Sequence, residues 1–213
     1  LLAADYFNQD DHSGGYHYIR DTPGYVGTSI RLGFTRPDDI RDTAGDGPRQ
    51  RLENYGFSAT LSADLGSAKL ISITGLRHFR QDLATTADAT TSGYLPLFIM
   101  ERARQFSQEI RLTGSIGPVD LLVGGYYFHE RNRGGIGAVL SGAYFGFPTD
   151  DLLQGTLYGG LQRTKAYAAF AQATWHITDR LGLDAGIRYS DERRRINENT
   201  QLDLANVYDP ARP

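Results

Sequence analysis

The chain has no cysteine, one methionine and one tryptophan in 213 residues. The missing thiols exclude a disulfide framework and thiolate metal sites, and their absence fits an oxidising compartment without proving one. Neither sign of charge dominates: 22 Lys and Arg stand against 25 Asp and Glu, a net charge of −3, which gives no footing for binding nucleic acid. No stretch approaches ~18 consecutive apolar residues, so no transmembrane helix is encoded. That leaves a β-barrel open, because a barrel strand meets lipid only at every second residue and its hydropathy signal is weak. There is no P-loop, no GxSxG and no GxGxxG after a strand, so neither a catalytic residue nor a cofactor site is read, and the chain is expected not to be an enzyme. Glu109 and Glu130 invite comparison with a glycosidase pair, but a chain with 25 acids offers many such pairs. His12, His17, His78, His129 and His176 are scattered without HxxxH or HExxH spacing, and no metal site is assigned. Asp10-Asp11-His12 reads as a solvated loop rather than a cation site.

What the chain does have is aromatics, at 11% with 13 Tyr and 10 Phe, and 25 glycines. It also has period-2 patterning. In Lys165–Arg195, Tyr167, Ala169, Ala171, Ala173 and Trp175 alternate with Ala168, Phe170, Gln172, Thr174 and His176. Beyond Ile177–Arg180, Leu181, Leu183, Ala185, Ile187 and Tyr189 alternate with Gly182, Asp184, Gly186, Arg188 and Ser190. This is the strand period, and the stretch reads as one antiparallel hairpin. Arg51–Leu65 and Ala103–Thr113 repeat the pattern, with Gln108 the exception on the apolar side of the latter. Ala68–Asp82 and Val119–Arg131 have strand composition but ambiguous facing.

The connections sort by length. Short turns are expected at Gly66-Ser67, Gly114–Pro118 and Ile177–Arg180, and long loops at about 10–50, 83–102 and 132–163 and after Ile196. About seven strands running up and down, with short turns at one end and long loops at the other, match an outer-membrane barrel with short periplasmic turns and long extracellular loops. A Greek-key sandwich mixes its loop lengths. Tyr167 and Trp175 stand eight residues apart on one face, which at ~3.3 Å per residue and ~40° tilt spans roughly 20 Å, comparable with a ~25 Å apolar band. The expected fold is therefore all-β: an antiparallel up-and-down transmembrane β-barrel, present in part. The opening LLAADYFNQDD and the closing NVYDPARP suggest a piece of a longer protein.

The residues also resemble a known family. RQFSQEIRL at Arg104–Leu112 is similar to a strand common in TonB-dependent receptors, and GGYYF at Gly124–Phe128 to the strand that follows it. YAAFAQAT at Tyr167–Thr174, TDRL at Thr178–Leu181, GIRY at Gly186–Tyr189 and LISITGLR at Leu70–Arg77 resemble others. The resemblance implies a wide outer-membrane barrel around an N-terminal plug domain, driven by the TonB–ExbB–ExbD complex through the N-terminus. It implies import of a small-molecule substrate: a ferric siderophore, haem, cobalamin or a carbohydrate. Plug and TonB box lie outside these residues. Implied partners are outer-membrane lipid, the plug, the energy-coupling complex and the substrate, with no nucleic acid. A passive porin is the rival reading, and a soluble β-sheet binding module a third.

Two groups of residues are candidates for contact. Glu109, Arg111, Asp184 and Arg188 fall on the polar parity and face a lumen or plug, where they either line a path or form cross-strand charge pairs. Tyr94, Phe98, Tyr144, Phe145 and Phe147 fall in the expected loops, where they either bind ligand or pack on neighbouring loops. The ERRR tract at Glu192–Arg195 is either a solvated strand end or a contact for lipid phosphates.

Overall fold

A computed structural model describes residues 1–12, 33–34, 38–39, 49–86, 96–141 and 152–203. Those residues form seven strands: β1 (Leu2–Asp11), β2 (Arg49–Asp64), β3 (Ala68–Thr86), β4 (Pro96–Ile116), β5 (Val119–Ser141), β6 (Leu152–Thr178) and β7 (Leu181–Asp203). They make one sheet in the order β1-β2-β3-β4-β5-β6-β7, every neighbouring pair antiparallel. This is the partial up-and-down barrel expected from the alternation.

The hairpins at one end are tight because the sequence supplies the right turn residues. Gly66, at φ 79°, lets Leu65 N–H donate to Ala68 O at 2.7 Å. Gly117, at φ 58°, precedes Pro118 between β4 and β5. A positive φ at the first central residue is what a right-twisted hairpin needs, and glycine reaches it without strain. Asp179-Arg180 joins β6 to β7.

The strands are longer than the sequence suggests, which corrects the loop boundaries. Leu83–Thr86 belongs to β3, Pro96–Arg102 to β4, Asn132–Ser141 to β5 and Leu152–Arg163 to β6. A strand crosses a bilayer with ~9–11 residues, and β4, β5 and β6 run to 21, 23 and 27 residues. In the extra length the two faces no longer differ, both apolar at Leu97–Met100 and both polar at Arg131–Arg133, so alternation fades while backbone pairing continues: Arg131↔Arg163, Arg133↔Leu161 and Gly135↔Gly159 remain in register.

The register resolves the ambiguous strands, since directly paired residues share a face. Leu70 and Leu76 of β3 lie opposite Leu112 and Phe106 of β4, and Val123 and Tyr127 of β5 lie opposite Ala171 and Tyr167 of β6. One face is thus apolar from Leu61 to Ile187. The other carries Arg77, Glu109, Arg111, Asp120, Glu130, Asp184 and Arg188. Among the described residues the only buried hydrophobic side chain is Ala103, while Leu61 is 66% and Ile187 75% exposed. A single layer with its apolar face this open has no core of its own and needs an apolar environment outside the sheet.

The last aromatic or large apolar residue before that face first turns polar moves steadily along the strands. It is Tyr189 on β7, Tyr167 on β6, Tyr127 on β5, Phe106 on β4, Leu76 on β3, Tyr55 on β2 and Tyr6 on β1. From Tyr189 to Tyr6 the boundary climbs three rows of two residues across six inter-strand steps. At ~3.3 Å per residue and ~4.8 Å between strands, that is about 20 Å over about 29 Å, a tilt of roughly 35°. Barrel strands tilt by ~35–45°, so a level membrane boundary is drawn diagonally across the register.

Candidate functional site

The apolar face contains one polar island, and it is internally satisfied. Gln108, the exception in the β4 alternation, donates from Nε2 to Ser72 Oγ at 2.9 Å and accepts from Thr74 Oγ1 at 2.6 Å. Its neighbours on β3 supply what an apolar surrounding would not.

The polar face gathers its chemistry in two places. Near the tight turns, Ser115 Oγ donates to Asp120 Oδ1 at 2.6 Å, and His176 Nε2 lies 2.9 Å from Asp120 Oδ2. Nearer the other end, a hollow of about 190 Å³ is lined by Asn54, Arg77, Glu101, Gln105, Glu130 and Asn132, with Phe79 and Ala103 completing it. Arg77 donates from Nη1 and Nη2 to the two carboxylate oxygens of Asp5, at 3.2 and 3.0 Å, and from Nη1 to Asn54 Oδ1 at 3.0 Å. Gln105 Nε2 donates to Glu130 Oε2 at 2.6 Å, and Asn132 Nδ2 to Glu101 Oε1 at 2.8 Å. Asn132 Oδ1 is buried and has no hydrogen-bond donor. The hollow offers two carboxylates and one open acceptor, a donor-seeking surface for a polar partner.

Glu109 and Arg111, two residues apart on β4, form an ion pair through Arg111 Nε. Asp184 accepts from Thr174 Oγ1 at 2.5 Å. Arg188 sits 5.6 Å from the Phe170 ring centroid and donates to Ser190 Oγ at 3.1 Å. All four are on the polar face, engaged with neighbouring side chains, and they are not brought together as one cluster. Glu109 and Glu130 lie on one face across the β4–β5 pair, but Glu130 stands opposite Gln105. Four residues of strand separate them, about 13 Å, beyond the ~5–9.5 Å of a glycosidase pair. Phe98 is not in a loop: it is in β4, paired with Ala84 and Gly137 on the side of the apolar face, because strand pairing runs past the expected boundary. Tyr94, Tyr144, Phe145 and Phe147 lie outside the described residues, as does His17. Tyr126 and Phe128 of β5 turn to the polar face, while Tyr127 between them stays on the apolar one. Sequence reasoning missed the hollow. The parity of Glu101, Gln105 and Glu130 was readable, but their meeting depends on the β4–β5 register.

Above the aromatic boundary the apolar face becomes basic. His78, Arg104, Arg131, Arg163 and Arg195 occupy one cross-strand row from β3 to β7. Arg80, Arg102 and Arg133 occupy the next row, and Lys165 and Arg193 are paired in the row below.

An uncapped amphipathic meander, tilted and girdled in this way, is a segment of a barrel of the membrane-spanning class. Residues 2–210 match the family profile "TonB dependent receptor-like, beta-barrel", and the chain belongs to that family. It is 32% identical over 104 residues to the pesticin receptors of Yersinia enterocolitica and Yersinia pestis, covering 48% of this chain. The match spans 14% of the length of those relatives. A solved structure, that of the ferric yersiniabactin uptake receptor FyuA from Yersinia pestis, aligns with 72% of this chain and 25% of its own, at a TM-score of 0.46 and 18% identity.

Proposed function

We propose that this chain forms part of the wall of an outer-membrane receptor that takes up a scarce nutrient under the drive of TonB–ExbB–ExbD, with a ferric siderophore the first substrate class to test. The observation that carries the reading is the family match over residues 2–210. The amphipathic sheet supports it. The apolar face, with its polar island closed on itself, suits hydrocarbon, and the polar face suits a lumen that holds a plug. Strands β1 and β7 each leave one edge unpaired in the sheet. Unpaired backbone edges are not tolerated in lipid, so the reading requires further strands to close the barrel. Glu109–Arg111, Asp184, Arg188 and the hollow around Asn132 then face the plug or the substrate path. The relatives' designation as receptors for pesticin favours a receptor over a passive pore.

The test is genetic and biochemical. A strain lacking the full-length protein is grown on ferric siderophores, haem, cobalamin and glycans as limiting sources, with and without a functional TonB. Loss of growth on one source, restored by the gene only when TonB works, supports the proposal. Restoration without TonB, with single-channel conductance in planar bilayers, supports the porin reading instead. A water-soluble, monodisperse product without detergent defeats both.

A further inference from the structure

In the hollow around Asn132 the amide donors are already committed and the acceptors are not. Gln105 gives its Nε2 to Glu130 and Asn132 its Nδ2 to Glu101, at 2.6 and 2.8 Å. A carboxylate only accepts, so the NH₂ end of each amide is fixed toward it and the oxygen end is turned elsewhere. Asn132 Oδ1 is thereby left buried with no donor. Glu101 and Glu130 are half-buried, and their partners among the described residues are these neutral amides rather than cations. Arg77, the cation in the lining, is occupied by both oxygens of Asp5 and by Asn54. Two partly desolvated carboxylates beside an orphaned amide oxygen are complementary to one kind of group: cationic, and rich in N–H.

Depth and size narrow the group further. Counted along each strand from its own boundary residue, Gln105 stands one residue past Phe106, Glu130 three past Tyr127 and Asn132 five past Tyr127. The hollow therefore lies beyond the aromatic boundary, which on the outer-membrane reading is the extracellular mouth of the lumen. At about 190 Å³ it has room for the end of a short aliphatic amine with a few waters, and not for a whole chelate or a macrocycle. The body of such a solute has a place beside it. Tyr126, Phe128, Glu130 and Asn132 are successive polar-face positions of β5, ~6.6 Å apart, and Tyr126 and Phe128 line a second hollow of about 300 Å³. An ammonium is a compact charge with three donors, which suits carboxylates reaching in from two strands, Glu101 from β4 and Glu130 from β5. Phe79 supplies an apolar wall for its methylenes. We infer that this hollow is a binding subsite for a protonated primary amine carried by the imported solute, with Glu101 and Glu130 sharing its charge and Asn132 Oδ1 accepting its third N–H. The inference deepens the uptake reading above and rests on it: among the substrate classes named there, it favours a chelate with a free aminoalkyl arm over haem and neutral glycans.

The test uses the full-length receptor in detergent and three probes of one chain length, pentylammonium, N-pentylacetamide and pentanoate, followed by ligand-observed NMR. The wild type is expected to bind pentylammonium at least tenfold more tightly than either of the others. Replacing Glu101→Gln and Glu130→Gln together should weaken pentylammonium binding at least tenfold and erase the preference. Asp64→Asn, which removes a carboxylate at the tight-turn end of the same face, should leave both unchanged. Should the double variant not fold, each single variant is read the same way, with at least a threefold loss expected. Equal binding of the three probes by the wild type overturns the inference, as does equal pentylammonium binding by wild type and Gln variant. Absence of binding by the wild type overturns it in favour of a hollow filled by the plug. Growth separates the two readings: a receptor that restores TonB-dependent growth on one source while treating the three probes alike fails only here, while one that restores it on none fails both.

Discussion

The two faces of this sheet treat arginine differently. On the polar face Arg77 is held by Asp5, Arg111 by Glu109 and Arg194 by Glu192, each with a carboxylate from the protein. Arg188 is met by the Phe170 ring. On the other face, beyond the aromatic boundary, Asp10, Asp82 and Asp191 hold Arg49, Arg51, Arg80, Arg102 and Arg193, but the row Arg104, Arg131, Arg163 and Arg195 between them has no such partner among the described residues. For uncharged groups the contrast is reversed: Gln108 on the apolar face is satisfied by Ser72 and Thr74, while Asn132 on the polar face keeps an open oxygen.

The contrast breaks most sharply under a charge placed in the apolar band. Leu61→Arg or Ile187→Arg should cost about 2–4 kcal/mol in urea-dependent folding into lipid vesicles if these residues sit near the midplane, and Thr60→Arg much less. Equal tolerance at both parities would sink the assignment of the faces. Adjacent glycines give the next test. A Cβ on Gly124 would lie 2.4 Å from Phe170 Cζ and 2.9 Å from Ile110 O, whereas on Gly125 nothing lies closer than Ala168 O at 3.8 Å. Gly124→Ala should therefore cost about 1–3 kcal/mol and Gly125→Ala well under that, measured in the same titration. Phe170→Leu should recover part of the Gly124→Ala loss while removing the ring under Arg188, itself worth about 0.5–1 kcal/mol.

A double-mutant cycle of Asp5→Asn and Arg77→Gln should return at most about 1 kcal/mol, because both side chains are half exposed. The smallest effect belongs to Asp10, beyond the boundary on β1. The hydrogen bond from Arg49, helped by Arg51, holds its carboxyl below the ordinary 3.8. Its folded pKa is thus depressed, so its contribution is present above 3.8 and fades as pH falls through the folded value. Arg49→Gln should flatten that acid limb slightly in pH-dependent unfolding. An unchanged limb would remove Asp10 from the account.

How much of this could be read from sequence depends on where each strand lies relative to the apolar band. β2 and the inner part of β4 were legible because one side of each is apolar and the other polar. β3 was not, because Ile71 and Ile73 share the polar face with Arg77. β5 was not, because Tyr126 and Phe128 do the same beside Glu130. Strand ends were misplaced where the two parities stop differing: Leu97–Met100 is apolar on both, and Arg131–Gly137 has the composition of a loop and the pairing of a ladder. The arginine row had no signal in one dimension. Its members come from separate strands, and only Arg193–Arg195 stood out, as a local tract. Register is a property of pairs, and one strand's sequence carries half of each pair.

The diagonal aromatic boundary has a geometric consequence of its own. It advances by about one residue for every strand passed. Carried around a closed sheet, an advance of that kind does not cancel. The closing strand must meet the first with an offset of about as many residues as there are strands, which is the shear of the barrel. The wall is then wound like a screw thread: a side chain is handed from one membrane depth to another along a strand, while neighbours at equal depth belong to different rungs. Moving the register of a single hairpin would slide everything beyond it along the thread, lifting tyrosines out of one layer and sinking arginines into the next.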